Sequence, residues 1–349
     1  MLSSVRLLDP SQLAELEKAI DLATDRCFIE PGLEGVRATV GQYIRSGGKR
    51  IRPQLCLWTY RQLGGDDDLA ALELASGWEL FHAFLLIHDD IIDGSDVRRD
   101  QSSLHRQLAS LDSDCPRFGL NLGIVVGDLL FSGALETWHG IDTEPTRYRD
   151  LLRLLSRIAT VTGIGQAGDI IAGHTPFDRL SEERLLRDYA QKTAAYTFEG
   201  PMLSAAILAG CAEPVRAAVS RFGLAIGQAY QLQNDLIDLV APVHDGSDIA
   251  QGKRTVTMLR ASRSVPGLSG RLDAIVNANG DRLTLAEALR QDVLATSAIT
   301  DTRGLIDEHL AVAESSAAEC GRLCDPLGEF LVGLRSSYFA ENRVAEQRG

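Results

Sequence analysis

Several features that would mark other protein classes are scarce in this 349-residue sequence. Basic residues are outnumbered, and the formal net charge of −13 argues against a nucleic-acid-binding protein, because nucleic acids are held chiefly by Lys and Arg. Only Cys320 and Cys324 lie close together among the six cysteines, and their spacing fits no common zinc motif. We therefore expect reduced thiols and no structural zinc.

Long apolar stretches and an N-terminal signal are also missing from the pattern. No stretch approaches the roughly 20 consecutive apolar residues of a membrane-spanning helix. The first ten residues contain no basic segment followed by an apolar one, as a signal peptide would. The sequence therefore predicts a cytoplasmic protein without a transmembrane segment.

Strand-like runs and Pro- or Gly-rich linkers are almost absent as well. Most of the chain has helical periodicity dominated by Ala and Leu, and hydrophobic residues make up 45% of it, enough for a large core. The segments 68–93 and 117–138 are apolar on all sides, which is typical of helices at the centre of a bundle. We predict an all-α protein whose residues 1–349 form one large helical domain with its core at about 33–340.

Two acidic clusters lie within these apolar helices. The first is His88-Asp89-Asp90-Ile91-Ile92-Asp93, and the second is Gln231-Leu232-Gln233-Asn234-Asp235-Leu236-Ile237-Asp238. Carboxylates inside apolar helices are costly to bury unless they are paired or bind a metal. Two carboxylates one turn apart suit Mg²⁺, which retains waters and takes phosphate oxygens as further ligands.

Basic residues accompany both clusters. Arg98-Arg99 follows the first, Gly252-Lys253-Arg254 follows the second, and Gly47-Gly48-Lys49-Arg50-Ile51-Arg52-Pro53 lies upstream of both. Arginines grip diphosphate oxygens bidentately, and glycines allow the backbone to approach an anion. Together with Lys192-Thr193 in a small-residue helix, these segments indicate a site for Mg²⁺ and diphosphate groups.

The order of these motifs along residues 40–260 resembles that of the trans-isoprenyl diphosphate synthases, the polyprenyl synthetase family. The resemblance implies a deep central cavity, a homodimer and Mg²⁺-dependent head-to-tail condensation of isopentenyl diphosphate with an allylic diphosphate. The metal ligands that it implies are Asp89, Asp90, Asp93, Asp235 and Asp238, holding three Mg²⁺. The substrate-binding residues that it implies are Lys49, Arg52, His82, Arg98, Arg99 and Lys253. The residues that it assigns to catalysis are Lys192, Thr193, Gln231, Asp89 and Asp93.

The second motif departs from the family pattern at two positions. Asn234 stands where an aspartate is usual, and His244 stands near the position of a lysine that many members carry. A neutral amide binds Mg²⁺ more weakly than a carboxylate does, so we expect the third metal to be held weakly. On this view Asn234→Asp should improve activity at limiting Mg²⁺.

Chain length is predicted from the helix that ends at Asp89. Phe84 lies five residues before Asp89, about one turn deeper along the helix. In the family, an aromatic residue at this place resembles enzymes that make short chains, so we expect a C20 product with C15 as the next choice. The alternative is that Phe84 only packs in the core.

Three other functions use the same residues. A class I terpene cyclase needs Ser or Thr four residues after Asn234 and Glu eight after it, but Asp238 and Pro242 stand there. A prenyltransferase with another acceptor remains open because of the altered second motif. A partner subunit of a heteromeric synthase also remains open, although the complete first cluster gives it little support.

Overall fold

The computed structural model describes residues 7–46, 48–98, 101–112, 115, 117–278 and 280–340. These residues form two compact units. The N-terminal unit contains residues 7–153 and 204–211, and the C-terminal unit contains residues 154–203 and 212–340. Both units are helical, which agrees with the predicted all-α class.

The N-terminal unit carries six complete helices and one short hairpin. The helices are α1 (Pro10–Arg26), α2 (Glu34–Ser46), α3 (Ile51–Gln62), α4 (Asp68–Ile92), α5 (Leu104–Ala109) and α6 (Phe118–His139). The hairpin pairs β1 (Val97–Arg98) with β2 (Gln101–Ser102) in antiparallel register. Helix α7 (Pro145–Gly173) begins in this unit and continues in the other.

The C-terminal unit holds the other helices of the described residues. They are α8 (Glu182–Tyr189), a π-helix (Ala190–Glu199), α9 (Gly200–Leu208), α10 (Glu213–Val240), α11 (Val256–Ala261), α12 (Leu268–Val276), α13 (Arg282–Leu294), α14 (Ala298–Ala317), α15 (Cys324–Ser337) and two single-turn 3₁₀-helices, Phe177–Arg179 and Gly321–Leu323. The last part of α9 belongs to the N-terminal unit.

Side-chain caps explain where several helices begin. The Asp9 carboxylate accepts hydrogen bonds from the backbone of Ser11 and Gln12, and Gln12 bonds back to the Asp9 backbone, which is a capping box. The Asp67 carboxylate accepts from the Ala70 N–H at the start of α4, 3.0 Å away. The Asp67 cap places the start of α4 at Asp68, the start of the apolar segment 68–93 noted in the sequence.

The centre of the N-terminal unit is the packing of α4 against α6. The rings of Trp78 and Trp138 are 5.2 Å apart, and the Trp138 indole N–H donates to the Leu74 carbonyl at 3.1 Å. Gly77 makes this approach possible, because a Cβ there would lie 2.1 Å from the Trp138 ring nitrogen. The packing fixes α4 along its length and so fixes the direction of its last turn, which carries Asp89 and Asp90.

The helical stretch that begins at the Ser181 cap changes its hydrogen-bonding pattern twice. It passes from α8 into the π-helix at Ala190 and into α9 at Gly200. Pro201 lies in the first turn of α9, a position that tolerates proline. The wider turns of the π-helix occur before it, around Lys192 and Thr193, and such turns are frequent at functional sites.

Within the part of the chain that the structure describes, two helices are long and apolar enough to cross a membrane by length and composition alone: α4 and α6. The apolar window of α4 is 72% buried within the protein, as expected of a core helix, whereas that of α6 is 39% buried. The expectation that no segment approaches membrane length therefore overlooked these two helices. That the two units together form one domain stays a prediction.

Candidate active site

The first acidic cluster occupies the last turn of α4. Asp93 caps the helix, and its N–H donates to the Asp89 carbonyl at 2.8 Å. The Asp89 side chain is half-buried and Asp93 is exposed, so both carboxylates are accessible at one end of the helix. They lie four residues apart and therefore on one face, as the sequence indicated.

Asp90 differs from its neighbours because it is buried and bound to Arg98. The guanidinium Nε of Arg98 lies 2.7 and 2.8 Å from the two carboxylate oxygens of Asp90, and Nη2 lies 2.6 Å from one of them. Burial raises the pKa of Asp90 above its ordinary value, and the Arg98 hydrogen bonds oppose that rise. This two-point contact is strong and directional, so Asp90 fixes Arg98 beside Asp89, whose carboxylate is 3.6 Å from Nη2.

The basic loop between α2 and α3 is held by a buried ion cluster. Arg50 has a positive φ of 47°, a conformation that is strained for a side chain of its size. Its guanidinium donates to Glu79 at 2.6 Å, to Glu17 at 2.9 Å and to the Ile44 carbonyl at 2.5 Å. These bonds stabilise the loop that carries Lys49. Sequence reasoning did not single out Arg50, because neither its backbone conformation nor its partners leave a local signal.

An open pocket with about 450 Å³ of empty space lies in the N-terminal unit. Its lining includes His82, Arg98, Arg50 and Glu79. Two of the predicted substrate-binding residues, His82 and Arg98, are therefore brought together. Lys49 is exposed and Arg52 is half-buried on the adjacent turn, whereas Arg99 and Gly47 lie outside the described residues.

The Arg50 cluster leads to a stability prediction. Glu79→Ala should lower the free energy of unfolding by about 3 kcal/mol, because it removes the buried one of the two carboxylates that pair with the buried Arg50 guanidinium. Glu15→Ala is the matched control, since Glu15 is exposed and 3.8 Å from Arg61, and it should cost about 1 kcal/mol or less. Chemical denaturation of both variants measures the difference. Equal losses would contradict a structural role for the cluster.

Phe84 belongs to an aromatic group beneath the first acidic cluster. Its ring is 4.8 Å from His88, 5.2 Å from Phe131 and 5.7 Å from Phe81. Phe84 is half-buried, whereas Phe81 is fully buried. Phe131, on α6, supports the face of Phe84 and was missed from the sequence, because only the α4–α6 packing brings it there.

In the C-terminal unit, Lys192 and Thr193 are held by two different helices. The Lys192 ammonium lies 2.5 Å from a carboxylate oxygen of Asp169 on α7. The Thr193 hydroxyl donates to the Gln231 side-chain oxygen at 2.9 Å. Gly165 allows α7 to approach the π-helix, because a Cβ there would lie 2.3 Å from the Lys192 backbone nitrogen. Asp169 was not among the predicted site residues.

The second acidic cluster contains one more carboxylate than the sequence indicated. The Asp248 N–H donates to Asp238 at 2.8 Å, and the Asp248 carboxylate pairs with Lys253 at 3.1 Å. Asp235 is buried, where it accepts hydrogen bonds from the Tyr189 hydroxyl and from the Gln231 amide. Three carboxylates therefore lie near the predicted cation Lys253.

The pKa values of Asp235 and Asp238 are raised, first by burial and then by the neighbouring charge of Asp248. Burial and then the charge of Asp248 raise the pKa of Asp238 to about 7. Burial and the same charge raise the pKa of Asp235 well above its ordinary value. A divalent cation would relieve this repulsion, and an all-oxygen donor set fits Mg²⁺ or Ca²⁺.

The two positions that depart from the family pattern have other partners. The Asn234 side-chain oxygen accepts a hydrogen bond from the Tyr338 hydroxyl at 2.5 Å. His244 is exposed, and its Nδ1 accepts from the Gly246 N–H at 3.1 Å in a turn.

Among the described residues, no three Asp, Glu, His or Cys side chains form a closed metal cage. Mg²⁺ sites completed by substrate oxygens and water need fewer protein ligands than that.

Comparison with known proteins decides the family. Residues 34–292 match the polyprenyl synthetase family. The chain belongs to the polyprenyl synthetase family. This membership confirms the resemblance drawn from the motif order, and it confirms the enzyme class, a prenyltransferase that elongates prenyl chains.

Individual relatives of this polyprenyl synthetase family chain include enzymes of several product lengths. The short chain isoprenyl diphosphate synthase of Methanocaldococcus jannaschii is 33% identical over 228 residues, which cover 63% of this chain and 64% of that enzyme. The geranylfarnesyl diphosphate synthase of Natronomonas pharaonis is 33% identical over 276 residues, which cover 72% of this chain and 76% of that enzyme.

Solved structures support the same fold. The geranylgeranyl pyrophosphate synthase of Corynebacterium glutamicum, complexed with isoprenyl diphosphate and magnesium, has a TM-score of 0.80 at 23% identity and covers 95% of this chain and 99% of that one. The polyprenyl synthase of Caulobacter crescentus, complexed with calcium and isoprenyl diphosphate, has a TM-score of 0.75 at 24% identity and covers 93% and 94%. The predicted isoprenoid-synthase fold is thereby confirmed.

Proposed function

We propose that this chain catalyses the Mg²⁺-dependent head-to-tail condensation of isopentenyl diphosphate with allylic diphosphates, and that its main product is a C20 prenyl diphosphate. The observation that carries the proposal is the end of α4, where two accessible carboxylates, Asp89 and Asp93, lie beside an arginine fixed by Asp90. Relatives and structural neighbours that act on or bind isoprenyl diphosphates and divalent metals support it.

The groups in the N-terminal unit are assigned to substrate binding. Asp89 and Asp93 would ligate Mg²⁺, which supplies charge neutralisation and orientation of diphosphate oxygens when bound. Arg98, oriented by Asp90, would hold the allylic diphosphate. Lys49, Arg52, His82 and Arg99 stay assigned to isopentenyl diphosphate. In this proposal Asp90 serves the arginine and not the metal, because both of its oxygens already accept from Arg98.

The groups in the C-terminal unit are assigned to ionisation of the allylic substrate. The C–O bond breaks with its electron pair passing to diphosphate, so cationic groups such as Lys192 and Lys253 favour the change. The polar side chains of Thr193 and Gln231, which bond to each other, would flank the carbocation. The double bond of isopentenyl diphosphate then forms the new C–C bond, and a proton is lost. Asp235 and Asp238 are assigned to a further Mg²⁺, as predicted.

Release of diphosphate tests this proposal directly. With Mg²⁺, a condensing synthase should release diphosphate rapidly only when an allylic diphosphate and isopentenyl diphosphate are both present, and EDTA should stop release until Mg²⁺ is restored. Release from the allylic substrate alone, at the same rate, would instead favour a terpene cyclase. No release with any substrate would favour a partner subunit of a heteromeric synthase.

A homodimer is part of the proposal, and α6 supports it. Ile124 and Val125 lie next to each other on this helix and are 41% and 52% exposed. Burial of such a helix face removes apolar surface from water, which favours association.

The free thiols are compatible with a reducing compartment, and we propose a cytoplasmic location.

Association through α6 gives a measurable prediction. Val125→Asp should convert the dimer into monomer in analytical ultracentrifugation, because a buried carboxylate without a partner opposes association. Val332→Asp is the matched control, since Val332 is 67% exposed on α15 and should leave the dimer intact. Dissociation by the control alone, or by neither variant, would contradict an interface at α6.

A further inference from the structure

Tyr338, at the C-terminal end of α15, contacts one face of α10 with its ring, its carbonyl and its hydroxyl. Its ring stacks on Tyr230 with centroids 5.0 Å apart and an interplanar angle of 21°. Its carbonyl accepts from the Gln233 amide at 3.1 Å, and its hydroxyl donates to the Asn234 oxygen at 2.5 Å. The hydroxyl is also 3.5 Å from the Tyr230 carbonyl. Tyr338 is 1% exposed, whereas Tyr230 and Asn234 are half-buried.

The three partners of Tyr338 mark a single helical face. Tyr230, Gln233 and Asn234 follow the spacing of residues that lie side by side on an α-helix. Asp238 lies one turn beyond Asn234 on the same helix. Docking of α15 therefore holds the turn of α10 that precedes the assigned metal ligands.

We propose that Tyr338 is a positioning residue that makes Asn234 a docking point for α15, so that the first residue of the second motif is not a metal ligand in this protein. The proposal rests on the proposed function, which assigns a divalent cation to Asp235 and Asp238. It concerns which side chains of this chain serve that cation.

The hydrogen-bond geometry provides the physical reason. At 2.5 Å, the positive end of the Tyr338 O–H dipole points directly at the Asn234 oxygen. A cation at the same oxygen would have to approach that dipole, or break the hydrogen bond from Tyr338, whose other acceptor, the Tyr230 carbonyl, is 3.5 Å away. The amide oxygen accepts the hydrogen bond from Tyr338 without adding a charge next to the carboxylates of Asp235 and Asp238.

A second tyrosine provides an internal comparison. The Tyr189 hydroxyl donates to Asp235 and accepts from the Val256 N–H at 3.1 Å. Asn234 and Asp235 are consecutive residues of the motif. Each therefore accepts a hydrogen bond from a tyrosine hydroxyl, and the two tyrosines belong to different helices. We expect only the hydrogen bond from Tyr338 to determine whether a side chain at position 234 can bind the metal.

The inference reverses the expectation drawn from the sequence for Asn234→Asp. With Tyr338 in place, a carboxylate at position 234 would accept a hydrogen bond from the Tyr338 hydroxyl, as the Asn234 oxygen does. It would therefore remain directed at α15. Asn234→Asp alone should therefore bring little gain in metal affinity. The gain should appear only when the hydroxyl is removed, as in the double variant Asn234→Asp/Tyr338→Phe.

Binding of Mn²⁺ in the presence of inorganic diphosphate, followed by electron paramagnetic resonance, tests the inference without requiring condensation. Asn234→Asp should bind within about twofold of the wild type, the usual limit of independent behaviour. The double variant should bind about tenfold more tightly than Tyr338→Phe alone, because it gains a charged ligand. The control pair Asn234→Asp and Tyr189→Phe should combine additively, again within about twofold.

Thermal unfolding gives the second readout. Tyr338→Phe keeps the ring and its stacking, so the protein should fold, with a Tm lower by about 2 °C from the lost hydrogen bond. A tenfold tightening by Asn234→Asp alone would overturn the inference, and that result does not depend on how the Tyr338 variants fold. A double variant no tighter than Tyr338→Phe would overturn it as well.

These outcomes are separable from failure of the proposed function. A wild type that does not condense prenyl diphosphates, but whose variants couple as expected, would refute only the function. A wild type that condenses them, but whose variants behave additively, would refute only the role of Tyr338. Absence of Mn²⁺ binding in every variant would refute both.

Discussion

Asp89→Ala should lower kcat for condensation by about 1000-fold, the range seen when a group that stabilises transition-state charge is removed. Asp89 is half-buried at the end of α4 and lies 3.6 Å from the guanidinium of Arg98. Loss of its carboxylate removes an assigned metal ligand next to the arginine that would bind the same diphosphate. Steady-state rates at saturating Mg²⁺ measure the effect.

Two further variants separate chemistry from positioning at this site. Asp66→Ala, on the exposed loop before α4, should leave kcat unchanged. Asp90→Asn keeps the shape but removes the charge that holds Arg98, so it should raise the KM of the allylic diphosphate more than it lowers kcat. If Asp89→Ala folds normally and loses less than about tenfold in kcat, the carboxylate does not act as a ligand at the reaction centre.

Phe84→Ala should shift the main product from C20 to longer prenyl diphosphates. Phe84 is half-buried one turn below the first acidic cluster and packs against Phe131, so its removal opens space in the direction away from the diphosphate. The double variant Phe84→Ala/Phe131→Ala should lengthen the product further, because the supporting ring is removed as well. Chromatography of the dephosphorylated products measures chain length.

The control for chain length is a buried phenylalanine outside this aromatic group. Phe222 is fully buried on α10, and Phe222→Leu should lower stability without altering product length. A product distribution that is the same in the wild type and in Phe84→Ala would mean that Phe84 packs in the core without limiting the chain. A product longer than C20 from the wild type would place the limit deeper than Phe84.

Features encoded by local sequence were predictable from it. The N-terminal ends of α1 and α4 follow from the caps at Asp9 and Asp67. Each cap accepts hydrogen bonds from backbone N–H groups no more than three residues away. The shared face of Asp89 and Asp93 follows from helix geometry alone. Arg98 was expected close to the first acidic cluster because only a short connection separates them.

Features that depend on distant partners were not predictable. Asp169 meets Lys192 across 23 residues and Tyr338 meets Asn234 across 104, and neither pair has a local signature. The positive φ of Arg50 is stabilised by carboxylates on two other helices and has no signal in its own segment. The π-helix was not predicted either, and the close approach of α7 to it at Gly165 is a contact between residues 27 positions apart.

Product analysis tests the central claim most directly. The purified chain should be incubated with Mg²⁺ and isopentenyl diphosphate, together with C5, C10 or C15 allylic diphosphate in separate reactions, and the prenyl alcohols separated after phosphatase treatment. We expect chain growth from all three primers, ending mainly at C20. Consumption of the allylic substrates without any product longer than the primer would contradict a condensing synthase.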